Sequence, residues 1–184
     1  VHFDYSVRTS SDIIVQFIYG EDAMDSVYVE SQPLIVTKLD TKGLINTFLF
    51  EETYLWNKVL NNDAIEELKS IKNYQEILEN NFKEIVLIQD YLIKDIFNYE
   101  IENNIMYPIH IQRLIQNKCG LNSKGKSDIT PIEIINNNNK FKNDLYITET
   151  FKCNKILHIL IDIHLSPKIL IEKYRIKKEI YYEL

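Results

Sequence analysis

Tyr74-Gln75-Glu76-Ile77-Leu78-Glu79-Asn80-Asn81-Phe82-Lys83-Glu84-Ile85-Val86-Leu87-Ile88-Gln89-Asp90-Tyr91-Leu92-Ile93-Lys94-Asp95-Ile96-Phe97 decides the fold class of this chain. Ile77, Leu78, Phe82, Ile85, Leu92 and Ile96 recur at helical spacing, with charged residues on the other face. That is the pattern of an amphipathic helix covering a core, and it predicts one long helix from Tyr74 to about Phe97. Such a helix needs apolar partners, so the sequence on either side is read for them.

Downstream, Pro108 fits the start of a short helix with the stripe Ile111, Leu114 and Ile115, and Gly120 fits its stop. Thr130-Pro131-Ile132-Glu133 matches the capping box: the Thr side chain caps, Pro takes the first helical position and Glu reaches back. Asn136 to Asn139 is a low-complexity, helix-poor run, expected to end that helix and loop out, so that Asn138→Ala would be nearly neutral. A helix is expected from about Tyr146 to His164 on Phe151, Ile156, Ile159, Leu160 and Ile163. Another is capped by Ser166 and started by Pro167, and a last one runs from Lys177 to Leu184.

Upstream, Glu51 to Leu60 is a candidate helix, and Asn62-Asp63 can cap another that ends near Ser70. Residues 27 to 50 lean towards β-structure and predict an irregular segment with one or two short strands, around Leu34-Ile35-Val36 after Pro33 and in the apolar patch Leu44 to Phe50. Phe3 to Arg8 and Ile13 to Tyr19 flank the polar turn Thr9-Ser10-Ser11-Asp12, the pattern of a β-hairpin. The expected fold is α+β and mainly α: a helical bundle with an N-terminal β-hairpin, in one unit over residues 1–184, with 1–50 hairpin and irregular segment and 51–184 helical.

Composition sets bounds on function. A chain of 21.9 kDa with 45% hydrophobic and 26% charged residues has apolar material for one core. A net charge of -6 argues against a surface that grips phosphate backbones on its own, which requires clustered Lys and Arg. Cys119 and Cys153 have no partner at metal-ligand spacing and are expected as reduced thiols. No basic-then-apolar leader and no apolar run near the roughly 18 residues needed to span a bilayer occur, so neither secretion as written nor membrane embedding is expected.

Four groups of polar residues merit weighing. Glu21, Asp22 and Asp25 are acidic enough for magnesium, but no phosphate-cradling glycines accompany them, which favours a structural loop. His158 and Asp162 are spaced to share a hydrogen bond. His164 lies about 120° round the helix from His158, a poor placement for a zinc ligand, so a polar edge on a core helix is expected. Arg113, Gln116 and Asn117 are the polar residues of the Pro108–Gly120 helix and are candidates for bonding neighbouring backbone or an interface. Lys168, Lys173, Arg175, Lys177 and Lys178 form the main basic concentration, broken by Glu172 and Glu179; Lys173 and Arg175 are its interface candidates for an acidic partner.

Three stretches carry a resemblance. Arg8 to Asp25, Tyr107 to Asn117 and Ile159 to Tyr182 resemble, in order and at about the same spacing, segments of the largest subunit of eukaryotic RNA polymerase, the second and third in the form found in polymerase II. The resemblance implies a fragment of that subunit, its foot and neighbouring shelf. In that family the magnesium-holding aspartate loop lies upstream and the trigger loop downstream. It also implies a structural and interaction role in messenger-RNA transcription, in the nucleus, with no catalytic residue, cofactor or metal in this chain. Nucleotidyl transfer, magnesium and zinc belong elsewhere in the DNA-directed RNA polymerase. Implied partners are other polymerase II subunits and transcription or RNA-processing factors, with DNA and RNA met only through the whole complex and no membrane. The family places Gly where this chain has Ser11-Asp12 and again at Ala23. A free-standing helical protein-interaction module, or a small hydrolase or metalloenzyme using His158, Asp162 or the acidic loop of Glu21, Asp22 and Asp25, stays open as an alternative.

Overall fold

The computed structural model describes residues 6–16, 26–51, 56–100, 103–119, 125–145 and 154–184. These residues are mainly helical and carry two small antiparallel sheets. The first is the N-terminal hairpin, β1 (Val7–Arg8) with β2 (Ile14–Gln16). Its turn works without glycine. Asp12 takes φ 62°, the left-handed region that Asp tolerates. The Thr9 hydroxyl accepts from Ser11 N and Ile13 N at 3.3 and 3.2 Å, and Arg8 pairs with Asp12 at 3.1 Å.

The second sheet joins β3 (Glu30–Pro33) to β4 (Asn104–Tyr107), in register from Glu30 opposite Tyr107 to Pro33 opposite Asn104. The segment 27–50 therefore holds one strand, and Pro33 ends it rather than starting it. Leu34 to Val36 leads into a 3-10 turn, Ile35–Lys38. The patch expected to be extended is instead α1 (Thr41–Phe48), because Asp40 caps it by accepting from Gly43 N at 2.8 Å, and Leu44 and Phe48 then share a buried face. Gly43 suits this cap closely: a Cβ there would lie 2.9 Å from Asp40 Oδ1 and 3.1 Å from the Leu39 side chain.

Of the helix expected over Glu51 to Leu60, Trp56–Val59 forms as α2, Glu51 and Leu60 are not helical, and residues 52–55 lie outside the described residues; α3 (Asn62–Ser70) follows. The long helix forms as expected: α4 (Tyr74–Tyr91) continues as a wider π-helical turn, Leu92–Ile96. Leu78, Ile85 and Leu92 are buried, whereas Ile77, Phe82 and Ile96 pack half-buried at the margin of the core. α5 (Ile111–Cys119) begins after His110, whose Nδ1 accepts from Arg113 N at 3.3 Å; Pro108 stands three residues ahead of the first turn. The expected stop at Gly120 lies outside the described residues. Leu114 is half exposed, so the buried face of α5 is Ile111 and Ile115.

α6 (Pro131–Asp144) starts at the expected cap, with the Thr130 hydroxyl accepting from Glu133 N at 3.2 Å. The Glu133 carboxylate, however, turns to the Tyr182 hydroxyl and the Lys178 ammonium, at 2.6 and 2.7 Å. The asparagine run does not end this helix or loop out. The helix continues through it to Asp144, because Asn138 falls on the inward face with Ile134 and Ile135 and finds partners there. The next helix is α7 (Asn154–His164); residues 146–153 of the expected helix, Phe151 among them, lie outside the described residues. α7 packs against α4, α5 and α6, with Leu160 and Ile161 fully buried. Pro167 starts a short helical segment ending in a π-helical turn, Ile169–Lys173, but the buried Ser166 hydroxyl has no partner and does not cap it. α8 (Lys178–Tyr182) closes the core with Tyr181.

Candidate functional site

The functional candidates lie on α5, on α7 and from Lys168 to α8, and the fold does not gather them in one place. Their polar side chains are mostly committed to the molecule itself. Arg113 forms a forked pair with Glu30, at 2.8 and 2.6 Å, which ties α5 to β3 and holds the Glu30 carboxyl below the usual carboxylate range. Gln116 is half-buried and Asn117 exposed on the same helix, and neither is brought to the other candidates.

The basic concentration is likewise spent inside the fold. Lys168 donates to the Leu49 and Ile45 carbonyls at 2.8 and 3.2 Å, covering the C-terminal end of α1. Arg175, in the left-handed region at φ 49°, donates to the Lys58 carbonyl at 3.0 Å. Lys178 pairs with Glu133, which raises the ammonium's pKa, and Lys173 lies 5.2 Å from the Tyr174 ring centre. Lys177 is exposed at the start of α8. These side chains do not converge on a single acidic-partner surface.

His158 and Asp162 do not share a hydrogen bond. Asp162 instead accepts from Lys142 of α6 at 2.6 Å in a pair about one-sixth exposed on each side. Burial pushes the Asp162 carboxyl up, and the Lys142 ammonium pulls it back. His158 Nε2 is buried without a partner, and burial lowers the pKa of its ring. His164 points elsewhere, into a pocket of about 140 Å³ between the Ile35–Lys38 turn, α1, α5 and α7. Among the described residues no three His, Cys, Asp or Glu side chains are grouped to hold a metal ion, and no helix is long and apolar enough to cross a membrane. The acidic group Glu21, Asp22 and Asp25, together with Ala23 and Cys153, lies outside the described residues. Cys119 is a free thiol whose pKa burial raises, which makes it a poor nucleophile.

The sequence reading missed the polar residues that do most to join elements. Gln32 donates through one amide nitrogen to the Tyr107 and Ile109 carbonyls at 3.0 and 2.9 Å. Gln89, on the buried face of α4, donates to the Val36 and Leu39 carbonyls at 2.7 and 2.8 Å. Ser127 donates to Ile176 O at 2.6 Å while its backbone bridges to Val59 and Asn61. Asn138 is 7% exposed; it donates to Leu165 O at 2.9 Å and accepts from the Tyr181 hydroxyl at 2.9 Å. Its spacing was the available signal, since Asn138 lies four residues from Ile134 on one helix face.

Asn138→Ala is therefore expected to cost about 2 kcal/mol, because it takes the amide donor from the Leu165 carbonyl and leaves the buried Tyr181 hydroxyl with only its longer bond to Ile134 O at 3.3 Å. Tyr181→Phe, which leaves the Leu165 bond intact, should cost about half as much. Urea unfolding checks both, and a neutral Asn138→Ala would mean that this polar seam does not hold α6 to α7 and α8.

Beside that seam runs a groove of about 490 Å³, lined by Leu114, Phe141, Leu157, Ile161, Tyr182 and Leu184 among others. Leu114 and Phe141 are each 50% exposed and Tyr182 60%, so the groove presents apolar surface to solvent.

Comparison with known proteins gives two findings. A stretch of 40 residues, 22% of this chain, is 42% identical to part of the Plasmodium falciparum protein described as DNA-directed RNA polymerase III subunit RPC1, and covers 2% of that subunit's length. The match thus spans a small part of its relative. The family model described as RNA polymerase Rpb1, domain 6, matches residues 24–184, which include every described helix and the β3–β4 sheet. The chain belongs to the RNA polymerase Rpb1, domain 6 family, a region of the largest subunit of a multisubunit DNA-directed RNA polymerase.

Proposed function

We propose that this chain is the foot and shelf part of the largest subunit of RNA polymerase II, where it supports the shelf beneath the cleft, contacts other subunits and offers an outer surface to transcription and RNA-processing factors in the nucleus. One observation carries the structural reading: the buried polar side chains Gln32, Gln89, Ser127 and Asn138, and the cations Lys168 and Arg175, donate across the fold to backbone carbonyls. Groups used in this way fix one arrangement of elements, as a scaffold requires, and are not poised for proton or phosphoryl transfer. In this reading nucleotidyl transfer, with its magnesium, and the subunit's zinc belong to other parts of the polymerase. The chain by itself holds no cofactor, is inactive, and meets DNA and RNA only through the complex.

Polymerase II is favoured by Tyr107 to Asn117 and Ile159 to Tyr182, the stretches similar to the polymerase II form, which fold here into β4 with α5 and into α7 with α8. The likeness to a polymerase III subunit favours the second reading, that the parent is polymerase III. Chromatin immunoprecipitation with an antibody to residues 24–184 separates them. Occupancy over messenger-RNA genes is the expected result, occupancy confined to transfer-RNA genes supports polymerase III, and absence from transcribed chromatin overturns both.

A further inference from the structure

Polar side chains from four elements meet at one pocket: Thr47 of α1, Gln112 of α5, His164 at the end of α7, and Lys173 at the end of the turn Ile169–Lys173. Leu34, Val36, Phe48, Ile115 and Ile163 supply its apolar walls. None of the four polar side chains makes a hydrogen bond or ion pair among the described residues, and the Lys173 ammonium lies 5.2 Å from the Tyr174 ring centre. A packing void does not account for such a lining, because empty cavities in cores are apolar throughout.

The charges are one-sided. Although the chain carries a net charge of -6, no Asp or Glu lines this pocket among the described residues. Lys173 and His110 both bear on His164, and no carboxylate offsets them. Burial above all holds the His164 pKa at about 4, so near neutral pH the ring is uncharged and the Lys173 ammonium is the charge of the pocket. That ammonium and three neutral donors, the Thr47 hydroxyl, the Gln112 amide and a ring N–H of His164, complement a carboxylate, which only accepts.

Size and charge narrow the ligand further. At about 140 Å³ the pocket is well below the roughly 300–1,000 Å³ of sites for drug-sized ligands. It holds about five groups of water size at ~30 Å³ each, which is a carboxyl group with two or three methylenes. A phosphate dianion fits worse. Its second charge would need a protonated His164, and at about pH 7 a ring of pKa about 4 is protonated roughly once in 1,000.

We infer that this pocket is a binding site for a monocarboxylate on a short unbranched apolar stem, with Lys173 as counter-charge, Thr47, Gln112 and His164 as donors, and the aliphatic walls around the stem. A free short-chain acid and the glutamate side chain of a polypeptide share that chemistry.

The test titrates the chain with sodium butyrate, butyramide, sodium phosphate, and a blocked peptide carrying either one glutamate or one glutamine, and follows the side-chain signals of Gln112 and His164 by nuclear magnetic resonance. Butyrate should shift both signals saturably, with butyramide and phosphate at least about tenfold weaker. Lys173→Met should weaken butyrate by about tenfold or more, and Lys173→Arg should keep most of the affinity. Lys173 is exposed, so neither change threatens the fold; Lys177→Met, at an exposed lysine outside the pocket, should leave butyrate binding unchanged. Bound carboxylate should also raise the His164 pKa, which the pH titration of its ring signals reads. Saturable binding of the glutamate peptide but not the glutamine peptide assigns the site to a polypeptide ligand, and binding of butyrate without the glutamate peptide assigns it to a free acid. Saturation by neither, equal affinity for butyramide or phosphate, or unchanged butyrate affinity in Lys173→Met overturns the inference.

Discussion

Replacing Leu160 with alanine lowers the unfolding free energy by roughly 3–4 kcal/mol, the largest single-site effect expected in this chain. Leu160 is fully buried on α7, the helix that packs against α4, α5 and α6 at once. Truncation removes the transfer free energy of the side chain and leaves a void that three neighbouring helices cannot all close, and both costs fall on the same site. Leu87→Ala is the control. Leu87 also sits on a helix, α4, but is 67% exposed, so its loss should stay within about 0.5 kcal/mol of neutral. Urea unfolding of both variants and the parent provides the comparison. Equal effects would mean that α7 is not the centre of the core, and the same arrangement could then not be the scaffold that the proposed function requires.

The contrast between Leu160 and Asn138 shows where the sequence was readable. Helices announced by period and caps were legible: α4 from its stripe and α6 from Thr130 and Pro131, whereas α3 forms without the expected cap, since Asn62 and Asp63 lie inside it and its N-cap Asn61 makes no side-chain cap bond. Composition misled at Asn136 to Asn139, because helix propensity costs each Asn less than about 1 kcal/mol while a buried amide with two partners returns more. The β3–β4 pairing was hidden for a different reason. Glu30 and Tyr107 are far apart in the chain, and nothing local to Glu30–Pro33 specifies that Asn104–Tyr107 lies beside it. The candidate site was hidden in the same way. Arg113 is visible as a charge, but its partner Glu30 stands 83 residues earlier, and Lys168 and Arg175 bond to carbonyls that no side-chain pattern encodes. The sequence thus showed which residues were polar; the fold shows that most of them are already used.

Acid should loosen the molecule through His164. The ring is largely buried in the pocket between α7, α5 and the Ile35–Lys38 turn, where it faces Gln112, Thr47 and Lys173, with His110 near enough to add positive charge. Burial first, then the charges of His110 and Lys173, depress its pKa from the ordinary 6.5 to about 4. In the unfolded chain the imidazole takes up a proton below about pH 6.5, whereas in the folded chain it stays neutral until about pH 4. The unfolded state therefore binds more protons across that window, and stability falls as pH falls through it, by about 3 kcal/mol in all. His158, also depressed by burial, acts in the same direction; the raised Asp162 carboxyl acts against it, since the folded state then holds that proton more readily. Urea midpoints measured from about pH 7 to about pH 4.5 should decline in the parent and decline much less in His164→Gln. His158→Gln should remove a smaller share. A His164→Gln variant with the parent's full pH slope would mean that the ring is protonated inside the folded molecule, and that the pocket admits enough water to solvate a charge beside Lys173.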